Sequence, residues 1–565
     1  MNRSLTISAA RPAATILLAL RRATYFLTNR PGLILFFAAV AVRLIDVGRS
    51  PNRDELFHVL AAQSLLADGD LIIDGEVPYV RAWPFTYMLA GMFRLFGESL
   101  VVARLPGVLA GALLVALVFF WVRSTAGRLA AWVTALLLCF DPWAIFTSQL
   151  GRFYSLHALL FFVGAIGVYR AATAGSDRRK LLRWGLLAFV TLGLAFSLQI
   201  TTVFGVAGLL LWLGVTKVAP FTRRAWHGAP PRFVAGAAAV AAIALALAGS
   251  GLLESFWSAY NSSDDWAVIR ATDLFYYHKR LVSQYATLWS LFPILLVVAF
   301  ARNASVTGFS AVLLVTVLFL ASGGAMKADR YIFFTIPFFF TIAGIAIGTA
   351  IPWFRRQIAE ILRRWRRLAE RPVVLGALAN AGLVLTLLFA VGSNRASVTT
   401  ARFLTSQHVT EGGAYGQQPN WIAATSVLRS LADSSDVVIG SWPLATWYYL
   451  KRLDVSLLAP ELTTGEGRLP EFAIPEWYLP RPTISEPESL SRIVDCTGSG
   501  LVIIEDGHWR TPWVVNDALA DYTESYLDRI AVPEEWKLLV FRWEEEMPDR
   551  RGSPCPVEPE RRTRS

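Results

Sequence analysis

The sequence predicts an α-helical polytopic membrane protein that ends in a small α/β domain. The chain has 565 residues, of which 55% are hydrophobic, and its mean hydropathy of +0.46 is too high for an ordinary soluble domain. Its charge is split, because residues 1–392 carry a net charge of +19 and residues 393–565 a net charge of −8. A basic membrane body with an acidic tail argues against nucleic-acid binding, and Lys and Arg in cytoplasmic loops account better for the basic excess.

The N-terminal segment, residues 1–32, is expected to be a cytoplasmic amphipathic helix. Its apolar run at 13–20 is interrupted by Arg21 and Arg22, and no small-residue cleavage site follows. This pattern fits a helix that lies on the membrane surface better than a signal peptide.

The transmembrane body is predicted at 33–392. A spanning helix needs about 20 mostly apolar residues, and about eleven segments come close to this requirement. These segments lie at 33–47, 99–122, 129–147, 154–172, 184–198, 200–216, 233–252, 284–301, 307–322, 331–350 and 373–392.

The distribution of Lys and Arg sets the orientation. The basic clusters at 21–30, 178–183, 223–232 and 355–367 are separated from one another by even numbers of spans, so they share the side predicted to be cytoplasmic. The opposite side then receives the loops and the C-terminal domain. The composition, rich in Ala, Arg and Gly, indicates a GC-rich bacterial genome, so we expect a multi-pass inner-membrane protein with a cytoplasmic N-terminus and a periplasmic C-terminal domain.

The first outer loop, residues 48–98, is predicted to contain two interfacial helices. Segments 54–66 and 85–96 both have apolar residues at helical spacing. Pro78, Pro84 and the glycines at 69 and 75 separate them.

The C-terminal domain is predicted at 393–547. Short apolar runs at 436–439 and 501–504 suit buried strands, and 421–431 and 514–526 have helical patterns. The last residues, 548–565, are rich in Pro, Arg and Glu and are predicted to be disordered. Cys496 and Cys555 are expected to be free thiols, with a disulfide as the alternative.

Polar side chains concentrate at the predicted outer ends of the spans. The candidate catalytic residues are Asp54 and Glu55 after the first span. The candidates for binding substrate or phosphate are Arg81 in the first outer loop, Arg104 in the second span, Gln149, Arg152 and Tyr154 between the third and fourth, and Lys327, Arg330 and Tyr331 before the tenth. Carboxylates beside cations suit the transfer of a group away from a phosphate. The cations stabilise the departing phosphate, and a carboxylate accepts a proton from the incoming hydroxyl.

Each of these residues also has a plainer interpretation. Asp54 and Glu55 suit the N-terminus of a helix. Arg104 could extend to the lipid headgroups, and Lys327 and Arg330 could anchor there.

The ordered set of motifs resembles the GT-C glycosyltransferases, in particular the polyprenyl-phosphate-dependent group with protein O-mannosyltransferases and the aminoarabinose transferases of lipid A. The resemblance covers 33–172 well, 323–350 more thinly, and the C-terminal domain only in architecture. The matching pieces are Arg53-Asp54-Glu55-Leu56-Phe57-His58, Val77-Pro78-Tyr79, Leu95-Phe96-Gly97, Val102-Ala103-Arg104-Leu105, Pro142, Ser148-Gln149-Leu150-Gly151-Arg152-Phe153-Tyr154, and Arg330-Tyr331 with Pro337.

The resemblance implies an inverting transferase that uses a polyprenyl-phosphate-linked sugar as donor and an extracytoplasmic lipid, polysaccharide or protein as acceptor. Asp54 would be the base, Glu55 its partner carboxylate held by Arg104, and Arg152, Lys327 and Arg330 the candidates for the donor phosphate. Relatives that modify lipid A often carry a Glu-Lys pair before two prolines, whereas this chain has Arg81-Ala82-Trp83-Pro84, in which Arg81 would supply the charge of the missing lysine.

Two other functions are considered. A transporter or lipid-linked sugar flippase would place charges near the middle of spans or break paired helices. An O-antigen ligase or polymerase also uses lipid-linked sugars, but lacks an acidic pair after the first span. No His pair at i, i+4 supports a zinc site, so we expect no cofactor, while a divalent ion stays open.

Overall fold

The membrane body of the computed structural model is a bundle of long apolar helices. The structure describes residues 30–51, 54–73, 77–218, 273–324, 327–363, 378, 381, 392–405, 419–457, 470–474, 479–512, 514–544 and 555–557. The N-terminal segment 1–29 and the span predicted at 233–252 lie outside these residues, as do nearly all of 373–392 and most of the tail 548–565.

The helices of the bundle begin and end where the sequence provides caps and breaks. Ser99 accepts a hydrogen bond from the Val102 amide at the start of the second long helix, which ends before Gly127, a residue with φ of 99°. The bundle helices are α1 (Pro31–Leu44), α4 (Leu100–Ala126), α5 (Arg128–Cys139), α6 (Pro142–Ser148), α7 (Tyr154–Thr173), α8 (Arg178–Leu198), α9 (Thr202–Leu213), α10 (Tyr276–Gln284), α11 (Ala286–Ser290), α12 (Phe292–Arg302), α13 (Ala304–Gly323) and α14 (Ile336–Arg363).

Five helices among the described residues are long and apolar enough to cross a membrane, or six if the bent pair α5 and α6 is one span. The protein is therefore a multi-pass membrane protein. Three further predicted spans coincide with the shorter helices α1, α9 and α12. The total of about eleven spans stays a prediction.

One predicted span, 129–147, is broken. Its two halves, α5 and α6, meet at an angle of 58°. Asp141 lies at the break, where its side chain accepts a hydrogen bond from the Ala144 amide and Pro142 occupies the first helical position. Together these residues start a new helix instead of continuing the old one.

The first outer loop contains the two helices that the sequence predicted. They are α2 (Glu55–Ala67) and α3 (Trp83–Phe96), and a short antiparallel ribbon of β1 (Ile72–Ile73) and β2 (Val77–Pro78) connects them. Their positions differ from the predicted bounds by one or two residues. Trp83 and Tyr87 on α3 are about half exposed, which suits a helix at a membrane–water interface.

The C-terminal domain is the expected α/β module. Its six-stranded sheet has the order β5-β4-β3-β6-β8-β7, with β3 parallel to both β4 and β6, and β8 antiparallel to β6. The elements are α15 (Arg395–Thr405), α16 (Trp421–Ser434), β3 (Val437–Gly440), α17 (Pro443–Leu450), β4 (Val455–Leu457), β5 (Thr483–Ile484), α18 (Pro487–Cys496), β6 (Ser499–Glu505), α19 (Asp517–Tyr526), β7 (Asp528–Ile530) and β8 (Leu538–Glu544). Both predicted strands are therefore confirmed.

The cysteine expectation was wrong. Cys496 and Cys555 form a disulfide, which joins the end of α18 to a segment close to the C-terminus.

The C-terminal domain is seated on the first outer loop. Helix α17 packs against α2, and buried side chains from both helices share one hydrophobic cluster with the domain's sheet. Tyr449 of α17 stacks on Trp421 with ring centroids 5.9 Å apart. The domain thus contacts the helix that begins at the acidic pair.

Candidate active site

Glu55 and Arg104 form a fully buried ion pair. Arg104 Nε donates to Glu55 Oε2 at 2.9 Å and its Nη2 to Oε1 at 3.2 Å. The other guanidinium hydrogens reach the carbonyl oxygens of Val47 at 2.6 Å, Arg49 at 2.7 Å and Ser50 at 3.3 Å. All five donors of this arginine are therefore used within the protein.

This arrangement corrects the sequence-based assignment of Arg104 to phosphate binding. Its side chain is 0% exposed, and none of its hydrogens is left for a ligand. Arg104 instead holds the backbone of residues 47–50 against the start of α2. The resemblance implied that Arg104 holds Glu55, and the geometry agrees with that part.

Gln149 also differs from the expectation that it contacts substrate. It is completely buried, and its side-chain amide donates to the carbonyl oxygens of Arg43 at 3.0 Å and Ile45 at 2.5 Å. Arg49 donates to its oxygen at 3.0 Å. Gln149 therefore ties the end of the first span to the turn between α6 and α7.

Asp54 is the carboxylate that ligands can reach. Its side chain is 34% exposed, and Oδ2 lies 3.3 Å from Nη1 of Arg330, which is 28% exposed. An ion pair with this exposure contributes only about 0–1 kcal/mol. An incoming anion can therefore take Arg330 from Asp54 at little energetic cost.

Arg152 bonds to the backbone of Asp54. Its Nη1 donates to the Asp54 carbonyl oxygen at 2.7 Å and to the Tyr79 hydroxyl at 3.1 Å, and its Nη2 donates to the Tyr154 hydroxyl at 3.3 Å. The guanidinium also lies over the Tyr154 ring, 5.5 Å from the centroid. Tyr154 thus orients Arg152 rather than facing solvent, since it is 2% exposed.

Both guanidinium groups keep a buried donor. The Nε atoms of Arg152 and Arg330 have no hydrogen-bond partner among the described residues. A buried donor without an acceptor costs about 1–3 kcal/mol. A phosphate oxygen is the kind of acceptor that would remove this cost.

Sequence reasoning missed His58 and Tyr79 as site residues. His58 is fully buried, and burial, together with the positive charges of Arg152 and Arg81, holds its pKa well below the ordinary value. Its Nδ1 lies 2.9 Å from Thr86 Oγ1, and its Nε2 lies 3.5 Å from the Tyr79 hydroxyl. Both residues stand in motifs that carry the resemblance, which was the available signal.

The connection before α14 brings the remaining cations to this side of the bundle. Lys327 is 3% exposed and donates to the Gly324 carbonyl oxygen at 2.8 Å; burial lowers its pKa, and the Asp273 carboxylate opposes that shift. Asp329 pairs with Arg280 of α10. Tyr331 lies beneath the Arg330 guanidinium, with the ring centroid 5.4 Å away.

Arg81 is exposed, and its positive charge acts on His58. Within the described part of the chain, no three His, Cys, Asp or Glu side chains come together as metal ligands. The absence of a cofactor stays a prediction. The arrangement combines one accessible carboxylate with two guanidinium groups, which can accept a proton and bind an anion side by side.

Comparison with known proteins agrees with this fold. The family model described as dolichyl-phosphate-mannose-protein mannosyltransferase matches residues 81–248. No curated protein sequence matches the chain.

Several solved structures resemble it. ArnT from Cupriavidus metallidurans in the apo state has a TM-score of 0.56 at 14% identity, over 94% of this chain and 98% of that one. The same protein bound to undecaprenyl phosphate has a TM-score of 0.54 at 14% identity, with the same coverage. The archaeal oligosaccharyltransferase AglB from Archaeoglobus fulgidus, in complex with an inhibitory peptide and a dolichol-phosphate, has a TM-score of 0.49 at 13% identity, over 89% of this chain and 73% of that one. The ArnT likeness extends over almost the whole of both chains, and the chain therefore has the GT-C fold that its motifs led us to expect.

Proposed function

We propose that the protein is an inverting glycosyltransferase that moves a sugar from a polyprenyl-phosphate donor to an acceptor hydroxyl at the outer face of the membrane. The observation that carries this proposal is the pair of guanidinium groups that meet at Asp54, where Arg152 bonds its backbone carbonyl oxygen and Arg330 its carboxylate. The name of the matching family and the undecaprenyl phosphate bound to ArnT support the same class of donor.

The reaction assigns one task to each group. The acceptor oxygen forms a bond to the anomeric carbon while the bond from that carbon to the phosphate oxygen breaks. The acceptor proton passes to the Asp54 carboxylate, and the polyprenyl phosphate leaves with the bonding electrons. Attack opposite the leaving group inverts the anomeric centre.

Arg330 connects donor binding to the state of the base. In the structure it pairs with Asp54, and a neighbouring cation favours the charged form of a carboxylate. When the donor phosphate binds Arg330 and Arg152, Asp54 loses part of this pairing and becomes a better base. Lys327 and Arg81 add positive charge around the donor, and Tyr331 supports the Arg330 guanidinium.

The buried Glu55–Arg104 pair keeps the base in place. Glu55 is the neighbour of Asp54 in the chain, and its two bonds to Arg104 fix the first turn of α2. Placing the base, the phosphate cations and the acceptor in one cavity supplies the advantage of proximity.

The proposed location is a bacterial inner membrane, with the C-terminal domain on the periplasmic side and the N-terminus in the cytoplasm. Basic residues support this orientation, since Arg128, Arg178 and Arg302 lie at helix ends opposite to Asp54. The flippase alternative is not favoured, because the fold is that of glycosyltransferases.

The experiment is reconstitution in liposomes with labelled polyprenyl-phosphate sugars and a panel of lipid, glycan and protein acceptors. Asp54→Asn should abolish sugar transfer while polyprenyl-phosphate binding persists. Asp68→Asn is the matched control, because Asp68 is an exposed residue at the other end of α2, and it should behave as wild type. Near-normal turnover by Asp54→Asn would remove Asp54 from its role.

A further inference from the structure

His58 occupies a position where an apolar side chain would be expected. It is completely buried, and its ring makes edge contacts with Tyr79 and Phe85 at centroid distances of 5.0 Å and with Phe153 at 5.6 Å. A polar group in such surroundings is costly unless it is hydrogen-bonded. Both of its nitrogens face polar atoms, Thr86 Oγ1 and the Tyr79 hydroxyl.

One tautomer of the His58 ring allows the Tyr79 hydroxyl to donate to it. Arg152 donates to the Tyr79 hydroxyl at 3.1 Å, so the hydroxyl hydrogen is free to point elsewhere. His58 Nε2 can accept that hydrogen only if it carries no proton. Nδ1 then carries the proton of the neutral ring and donates it to Thr86 Oγ1.

In this tautomer, the direction of the Tyr79 O–H bond is fixed. The hydroxyl donates to His58 and accepts from Arg152, so that an oxygen lone pair of Tyr79 faces the guanidinium. Without His58, the hydroxyl hydrogen could rotate toward Arg152 and oppose the Arg152 hydrogen bond. The contact between His58 Nε2 and the Tyr79 hydroxyl is long for a hydrogen bond, at 3.5 Å.

Arg152 depends on this chain for its orientation. Three acceptors fix its plane: the Asp54 carbonyl oxygen and the hydroxyls of Tyr79 and Tyr154. Its Nε is left without a partner among the described residues. The direction of the Arg152 Nε–H bond is therefore set by the contacts of the guanidinium with these three acceptors.

We propose that His58 is a positioning residue, which acts through the Tyr79 hydroxyl to orient the Arg152 guanidinium toward the donor phosphate. This inference rests on the proposed function and adds to it a relay that runs from Thr86 through His58 and Tyr79 to Arg152. His58 itself touches no substrate in this account.

The experiment combines His58→Phe, His58→Gln, Tyr79→Phe and the double variant His58→Phe/Tyr79→Phe. His58→Phe keeps a ring but removes the acceptor, so kcat/KM for the donor should fall roughly tenfold, the value of one hydrogen bond, while the acceptor KM stays unchanged. His58→Gln restores an acceptor where Nε2 stood and should recover most of this loss. The double variant should be no worse than Tyr79→Phe alone.

The matched control is His157→Phe. His157 is also a buried histidine bonded to a threonine, with Nε2 2.8 Å from Thr202 Oγ1, but its hydrogen bond to Thr202 and its ring contact with Phe334 involve no residue of the relay. It should leave donor kcat/KM within about twofold of wild type after correction for folded protein. The relay is overturned if the fold-losses of donor kcat/KM in His58→Phe and Tyr79→Phe multiply in the double variant. It is also overturned if donor kcat/KM of His58→Gln is as low as that of His58→Phe, or if His157→Phe shows the same donor-specific loss.

A binding measurement separates failure of the relay from failure of the proposed function. The same variants are titrated with polyprenyl phosphate alone, without any sugar or acceptor. Weaker binding by His58→Phe, recovered in His58→Gln, supports the relay even if no sugar donor is turned over. If Tyr79→Phe binds polyprenyl phosphate and turns over as the wild type does, the relay is overturned, but the proposed sugar transfer is not. Tyr79→Phe also tests the relay if His58→Phe does not fold.

Discussion

Removal of the Arg104 side chain should destabilise the protein strongly. Arg104→Met keeps the unbranched apolar part of the side chain but leaves the Glu55 carboxylate fully buried without its two hydrogen bonds of 2.9 and 3.2 Å. Three backbone carbonyl oxygens also lose their donors. Breaking one side of a buried ion pair costs about 3–5 kcal/mol, so the loss should be of at least this size.

The assay is thermal unfolding in detergent, followed by tryptophan fluorescence at one fixed scan rate because unfolding of such proteins is often irreversible. Removing both partners in Glu55→Leu/Arg104→Met leaves no unpaired charge and should restore part of the lost stability. Arg170→Met is the control, because Arg170 is bonded to Ser124 at the opposite end of the bundle, and it should cost no more than about 1 kcal/mol.

Two results would refute this reasoning. The first is a midpoint for Arg104→Met equal to that of Arg170→Met. The second is a double variant as unstable as the sum of its single substitutions, which would show that the two side chains do not stabilise each other. A variant of normal stability that has lost donor binding would return Arg104 to the phosphate role that the sequence suggested.

Two further predictions concern Lys327 and Tyr449. Because burial lowers the pKa of Lys327, its positive charge is lost at a lower pH than that of an ordinary lysine, so donor kcat/KM should fall as the pH rises through that pKa. Lys327→Arg should move this alkaline limb of the pH profile to higher pH. A limb that stays at the same pH would exclude Lys327 as its origin. Tyr449 stacks on Trp421 beneath α2 and its hydroxyl has no partner within the described chain, so Tyr449→Phe should leave the stability nearly unchanged. Tyr449→Ala should destabilise the protein by about 3–5 kcal/mol and make the C-terminal domain more sensitive to limited proteolysis. Equal protease resistance of the two variants would contradict the packing of this domain on α2.

Individual helices and strands could be predicted from the sequence because their apolar spacing lies within a short stretch of the chain. Apolar spacing placed α2 and α3 within two residues of their observed bounds, and short apolar runs placed β3 and β6. The break at Asp141 was missed, although an Asp followed by Pro is a recognisable helix start. There, a long hydrophobic stretch concealed the capping signal.

The roles within the site depended on contacts that no local pattern contains. Asp54, Arg152 and Arg330 were identified because charges near a membrane are rare and costly. Whether a given arginine faces a ligand or a carbonyl oxygen depends on contacts between residues 49–57 positions apart in the chain, as for Arg104. His58 was overlooked because one buried histidine gives no periodic signal.

The most direct test of the account is a structure of the protein with polyprenyl phosphate bound. The account predicts phosphate oxygens about 2.8 Å from nitrogens of both Arg152 and Arg330, with the Asp54 carboxylate released from Arg330 and facing the same cavity. A phosphate held elsewhere, with the Asp54–Arg330 pair intact, would contradict it.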